Sequence, residues 1–287
     1  MSETLYHTTV CTNGVNLHVV QAGPRDGKLV ILLHGFPEYW GIWRSQIDFL
    51  AQQGYCVWAP DQRGYATSDK PHAIADYTLD ELARDIVGLI DAAGRDKAVV
   101  IAHDWGGLVA WWLGMKHASR LERLAMFNAP HPKVFLDQFK NNPNVKQAAD
   151  YVNFFQWRWL PEIVLSLFNY YMPSKTMQDA ALLGTFTDDV LAEYKRQWKQ
   201  QGAFHAMLNW YRALFKTPSP NPASFRVSVP TLLVWGERDQ WMITDMAKPS
   251  IDLCDQGQLQ IWENGTHWIV QETPELVNKA LAKFLGK

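Results

Sequence analysis

One carboxylate in this chain stands where a nucleophile would be expected. The apolar run Ala98–Ala102 leads into His103-Asp104-Trp105-Gly106-Gly107 and then into an apolar helix. That order of strand, sharp turn and helix exposes its central side chain at the top of a sheet. Ala102, Gly106 and Gly107 are small enough for a tight turn and for a helix lying close against the strand. With Asp rather than Ser or Cys at the centre, the chemistry on offer is carboxylate attack at carbon, giving an ester. Amide groups at the helix start favour negative charge, which predicts an ionised Asp104 at neutral pH. The same placement also suits an Asp that only caps the helix. Two further groups follow later strands: Glu237 and Asp239 come after Thr231–Trp235, and His267 comes after Leu259–Trp262. An acid and a histidine are therefore expected at strand carboxyl ends, beside Asp104. A histidine of ordinary pKa, about 6.5, takes a proton from water at pH 7, and a carboxylate on its other nitrogen fixes the tautomer. The chain has nine histidines, so position rather than residue type singles out His267.

These residues need a sheet to carry them, and the rest of the chain supplies its elements. Thr8–Cys11 and Val15–Gln21 are rich in β-formers and are separated by Thr12-Asn13-Gly14, whose Asn-Gly pair suits a hairpin turn. Apolar strands and amphipathic helices then alternate. Leu29–Leu33 is followed by a helix over Gly41–Gln53, Cys56–Ala59 by a helix over Leu79–Ala93, and Ala98–Ala102 by a helix from Gly106. Leu121–Phe127 adds a further strand. Continuous apolar strands separated by helices predict a parallel sheet covered on both faces. From His131 to Asn221 the text is aromatic and helical, broken by Pro143, Pro161 and Pro173, and nothing in it alternates as a strand would. The βα rhythm resumes with Thr231–Trp235 and Leu259–Trp262 and closes with a helix over Pro274–Leu285. The expected architecture is an α/β core of residues 1–130 and 222–287, a mostly parallel eight-stranded sheet flanked by helices, with a helical cap of residues 131–221 inserted into it.

Composition narrows the partner. Of 287 residues, 47% are hydrophobic and 20% charged, enough apolar surface for a large core. A net charge of −2 without a basic run leaves no footprint for nucleic acid or an anionic membrane. The polar start, Met1–Gly14, lacks the pattern of a signal peptide, and Gly106–Met115 is too short to span a bilayer. Cys11, Cys56 and Cys254 cannot all pair within the chain and have no metal-ligand spacing. The expectation is a cytoplasmic protein, monomer or homodimer, that takes a small neutral substrate and needs no metal or cofactor.

The motifs His34-Gly35-Phe36-Pro37, His103-Asp104-Trp105-Gly106-Gly107, Gly236-Glu237-Arg238-Asp239 and Gly265-Thr266-His267, in that order and spacing, resemble those of α/β-hydrolases of the epoxide hydrolase family. The likeness covers nearly the whole chain. It implies Asp104 as nucleophile, Asp239 rather than Glu237 as the acid, and His267 as the base that activates water. It further implies backbone N–H groups of Phe36 and Trp105 as an oxyanion hole. The cap segments Asp150-Tyr151-Val152-Asn153-Phe154-Phe155-Gln156 and Leu208-Asn209-Trp210-Tyr211-Arg212 resemble those that carry the family's two acid tyrosines, which makes Tyr151 and Tyr211 the proton donors. Tyr39, Tyr170 and Tyr171 are assigned to packing or pocket lining.

The leaving group decides between neighbouring chemistries. Halide departs as a stable anion, whereas the alkoxide of an opened epoxide is strongly basic and needs a donor such as a phenol of pKa about 10. The substrate implied is a small apolar epoxide, opened by water to a vicinal diol. A haloalkane or haloacid dehalogenase using the same Asp remains an alternative, since Asp104-Trp105 also resembles that family. Against it, Phe36 stands where many such enzymes place a halide-binding Asn, and no arginine lies between Asp104 and Met115. A receptor on the same fold is a third reading. Trp157, Trp159, Trp198 and Trp210 suggest an apolar pocket in the cap.

Overall fold

A computed structural model describes residues 4–286; Met1–Glu3 and Lys287, at the ends of the expected core segments, lie outside the described residues. The opening hairpin forms as expected: β1 (Tyr6–Thr12) pairs antiparallel with β2 (Val15–Ala22), with Asn13 and Gly14 both at positive φ in the turn. Next come β3 (Leu29–Leu33), β4 (Cys56–Pro60), β5 (Ala98–His103), β6 (Leu121–Phe127), β7 (Thr231–Gly236) and β8 (Gly257–Trp262). The eight strands form one sheet in the order β1-β2-β4-β3-β5-β6-β7-β8, parallel from β4 to β8, with β2 antiparallel to both its neighbours. Every residue of β3, β4, β5 and β7 is buried, the mark of strands covered on both faces.

The helices follow from that order. The chain steps from β3 out to β4 through α1 (Arg44–Gln52), then returns past β3 to β5 through α2 (Leu79–Ala92). Right-handed crossovers in opposite directions put these helices on opposite faces. Accordingly α1 packs with the last helix, α12 (Pro274–Leu285), and α2 packs with α3 (Asp104–Lys116). The reversal falls between β3 and β5, and a crevice opens at such a switch point beyond the strand carboxyl ends. The loops after β3 and β5 are the ones that carry His-Gly-Phe-Pro and Asp104.

The helix predicted from Gly106 starts two residues earlier, so Asp104 is itself its first residue. Gly106 shows why these two loops can meet: a Cβ there would lie 2.4 Å from the Leu33 carbonyl oxygen and 2.6 Å from that of His34. Gly106→Ala should therefore lower the unfolding free energy by about 1–3 kcal/mol, the usual cost of forced overpacking. Urea denaturation checks this, and an unchanged midpoint would show that the contact relaxes freely.

Between β6 and β7 the described chain is helical: α4 (Pro132–Asn141), α5 (Pro143–Ala148), α6 (Tyr151–Phe155), α7 (Leu160–Ala180), α8 (Asp188–Trp198) and α9 (Ala203–Lys216). Pro143 and Pro161 sit in first turns, where a missing N–H costs nothing. Pro173 lies inside α7, just past a break at Leu167–Tyr170 where Phe168, Asn169 and Tyr170 take left-handed φ of 50°, 57° and 61°. This layer is bonded to the core by Trp198 Nε1 donating to the Pro37 carbonyl (2.7 Å), Trp210 Nε1 to the Arg63 carbonyl (3.0 Å) and Tyr194 Oη to Gln271 Oε1 (3.1 Å). Two short helices missed in the sequence, α10 (Ala247–Ile251) and α11 (Ile269–Glu272), complete the core. No helix among the described residues is long and apolar enough to cross a membrane.

Candidate active site

Asp104 sits at φ 49°, a left-handed conformation that a non-glycine residue adopts only where its surroundings hold it. Its side chain is buried, and its two oxygens face different partners. The Phe36 N–H donates to Oδ1 at 2.8 Å, and His267 Nε2 lies 3.8 Å from Oδ2. The Phe36 loop comes this close because Gly35 has no side chain, for a Cβ there would be 2.3 Å from Asp104 Oδ1. The Trp105 N–H makes no hydrogen bond with the carboxylate among the described residues; at the start of α3 it has no acceptor within the helix.

His267 Nδ1 donates to Asp239 Oδ2 at 2.7 Å. Asp239 is fixed in turn by the N–H groups of Trp241 and Met242 on Oδ1, both at 2.9 Å, and by Asn128 Nδ2 on Oδ2 at 2.6 Å. Glu237, the rival acid in the sequence, is exposed and turned to solvent. The order Asp104, His267, Asp239 is thus a continuous buried relay.

Behind it lies a pair that the sequence reading missed. Glu38 Oε2 accepts from the Gly35 N–H (2.6 Å) and lies 2.9 Å from His103 Nδ1, while His103 Nε2 lies 2.8 Å from the His267 carbonyl oxygen. Glu38 and His103 thereby tie together the loops that bear Phe36, Asp104 and His267. Burial pushes the Glu38 carboxyl up, but the neighbouring His103 and the Gly35 N–H outweigh it and leave it below its ordinary value. Asn128, also missed, stands at φ 48° and accepts from the Gly236 N–H as well as holding Asp239. All three were within reach of the sequence: Glu38 and His103 adjoin the quoted motifs, and Asn128 ends a strand.

The electrostatics depart from the sequence expectation at His267. Burial raises the Asp104 carboxyl above its ordinary pKa, against the opposing pull of His267, His103 and the Phe36 N–H. Burial lowers the His267 imidazole, but the carboxylates of Asp239, Asp104 and Glu38 more than reverse this and lift it to about 9. At pH 7 the resting His267 is therefore an imidazolium paired with carboxylates, not the free base that an unperturbed value implied. A folded-state pKa raised above the unfolded value stabilises the fold below the unfolded pKa of about 6.5, and that stabilisation is lost as pH rises through about 9. The urea midpoint should fall between pH 7 and pH 10, and in Asp104→Asn the His267 ring should titrate at lower pH than in wild type. Ring-proton NMR reads the second effect; an unmoved titration would mean the two groups are not coupled.

Tyr151 and Tyr211 line the same cavity of about 190 Å³ as Asp104 and His267. Their rings meet edge to face with centroids 6.0 Å apart, and Tyr211 also packs against Trp105 and Phe36 at 4.7 and 5.2 Å. Burial first, then negative charge at Asp104 for Tyr151 and the neighbouring Tyr151 and Asp104 for Tyr211, raises both phenols and holds them in the neutral form. Apart from Thr176 the remaining walls are apolar, among them Phe155, Leu165, Met177, Trp241 and Trp268. The tryptophan expectation is corrected here. Trp157 and Trp159 are 63% and 59% exposed, and Trp198 and Trp210 are buried in packing, so the cavity tryptophans are Trp241 and Trp268 of the core. The other tyrosines stand apart from the cavity. Tyr39 bonds Glu193, Tyr170 stacks on Phe204, and Tyr171 is exposed rather than packed or lining. No three His, Cys, Asp or Glu among the described residues are grouped to hold a metal ion.

Comparison with known proteins agrees with this reading of the fold. Residues 28–274 match the family described as alpha/beta hydrolase fold. The chain is 42% identical over 276 residues to the AB hydrolase superfamily protein YfhM of Bacillus subtilis, covering 96% of each chain. It is 36% identical over 281 residues to Epoxide hydrolase 4 of Homo sapiens, covering 95% of this chain and 76% of that protein. In structure it superposes on a mutant epoxide hydrolase from Bacillus megaterium with a TM-score of 0.90 at 27% identity, covering 98% of this chain and 100% of that one. The chain belongs to the α/β-hydrolase superfamily and, within it, to the epoxide hydrolase family.

Proposed function

We propose that this protein hydrolyses small apolar epoxides to vicinal diols through an ester on Asp104. The observation that carries the proposal is the pair of neutral phenols, half-buried Tyr151 and buried Tyr211, sharing one cavity with a carboxylate and a histidine. With Oδ1 held by Phe36, Oδ2 is the oxygen free to attack. As the ring carbon–oxygen bond breaks, one phenol passes its proton to the departing oxygen. Attack neutralises Asp104, which removes one of the charges that keep His267 protonated. The imidazolium then returns a proton to the tyrosinate, and the balance is an alkyl ester, a neutral His267 and two intact phenols.

Neutral His267, oriented by Asp239, now takes a proton from water as that water attacks the ester carbonyl. The oxyanion forms on Oδ1 against the Phe36 N–H, with the free Trp105 N–H as second donor. Collapse of the tetrahedral adduct releases diol and restores Asp104 and the imidazolium. In this scheme residues 131–221 act as a cap that supplies the acids and the apolar walls. The free thiols of Cys11, Cys56 and Cys254 suit a reducing, cytoplasmic setting.

One observation keeps the dehalogenase reading in view: the buried Trp105 indole N–H has no hydrogen-bond partner and so could meet a halide. Parallel assays with styrene oxide and a bromoalkane separate the two, diol being expected and halide release alone being the contrary result. Single turnover in water labelled with heavy oxygen should place label in the Asp104 carboxylate. Label confined to the diol would mean direct attack by water and would remove the ester from the scheme.

A further inference from the structure

The acid Tyr151 stands on α6, a helix of five residues. So short a helix does not hold itself, and its terminal carbonyls need partners from elsewhere. The Val152, Asn153 and Phe154 carbonyls are met within the segment by Gln156 and Trp157, but the last carbonyl of the helix and that of Trp157 beyond it are met by one side chain, Arg212, the residue after Tyr211 on α9. Arg212 is 2% exposed. Its Nε donates to the Phe155 carbonyl at 3.1 Å and its Nη2 to the Trp157 carbonyl at 2.7 Å. The same guanidinium grips Glu162 on α7 with both terminal nitrogens, Nη1 to Oε1 at 2.7 Å and Nη2 to Oε2 at 3.0 Å, and Nη1 also reaches Asn209 Oδ1 at 3.1 Å. A second strap runs parallel: Gln156 Nε2 donates to the Tyr211 carbonyl at 3.1 Å.

We propose that Arg212, locked by Glu162, is a positioning residue that ties the carbonyl end of α6 to α9 and so sets the separation of the Tyr151 and Tyr211 hydroxyls. The inference rests on the reading of those phenols as ring-opening acids. Burial pushes the Glu162 carboxyl up, yet His205 and Arg212 reverse this and bring it to about 2, so the lock stays charged across any working pH. Only a planar fork meets two carbonyls and a carboxylate at once; a lysine ammonium offers donors from a single point.

The two chemical steps provide the test, because only ring opening uses the phenols. With purified full-length protein and styrene oxide, single-turnover quench experiments follow ester formation and ester hydrolysis separately. Arg212→Lys should slow ester formation about 100-fold, the scale of a misplacement of roughly 1 Å, and leave hydrolysis within about twofold. Glu162→Gln keeps the shape but removes the charge and one of the two acceptors, and should show the same split at about tenfold, so the test stands if the lysine variant fails to fold. Equal loss in both steps would show general loosening of the site and overturn the proposal, as would ester formation unchanged in both variants. A wild-type protein that forms neither ester nor diol would instead sink the epoxide reading itself.

Discussion

His267→Gln should convert the protein into a trap for its own substrate. Asp104 Oδ2 needs no base to attack, since His267 in the resting state is already protonated and serves as a counter-ion. Hydrolysis of the ester does need a base, and among the described residues no other side chain combines contact with Asp104 and a carboxylate on its far nitrogen. Turnover should fall by about 10²–10⁴, the range for loss of a positioned general base. Intact-protein mass spectrometry should then find the chain heavier by one substrate. A slow but unmodified variant would contradict the scheme, because it would place His267 in the first step. The imidazole also balances buried carboxylates, so the variant should be confirmed as folded before its mass is read.

Tyr151→Phe combined with Tyr211→Phe should have the opposite signature, a folded protein that never acquires the ester. Apart from Asp104 itself, Thr176 and His267, the last engaged with Asp239 and Asp104, the other walls of the cavity are apolar, so little there replaces the donors for a departing alkoxide. Ring opening should drop by about 10⁴ relative to wild type, and each single variant by less, because the two hydroxyls share one oxygen and their effects are not additive. Phe keeps the edge-to-face packing that Tyr211 makes with Trp105 and Phe36, so stability should change little. Ester formation at the wild-type rate in the double variant would remove both tyrosines from the mechanism.

The pKa of His267 connects the two experiments. Three carboxylates surround it, and one of them is Asp104, the proposed nucleophile. In the proposed scheme alkylation also discharges one of the neighbours that keep the imidazole protonated and so hands the ring its second role. Glu38 and His103 hold the backbone on which this exchange depends, through the Gly35 N–H and the His267 carbonyl.

What the sequence determined by itself was whatever is encoded locally. Strands β3, β4, β5 and β7 announce themselves as apolar runs because parallel strands are buried on both faces. The bend at Asp104 is legible because only small residues allow a helix so close to a strand, as the 2.4 Å clearance at Gly106 demonstrates. Glu237 and Asp239, two residues apart, could be ranked only by resemblance; exposure of one and four hydrogen bonds to the other separate them in space. Tertiary structure alone decided the rest. Which aromatics line the cavity, the protonation of His267, and the bridge from Arg212 across three helices all depend on groups far apart in the chain and brought together away from water. Charge and hydrogen bonding act through distance and burial, and neither quantity is written in residue order.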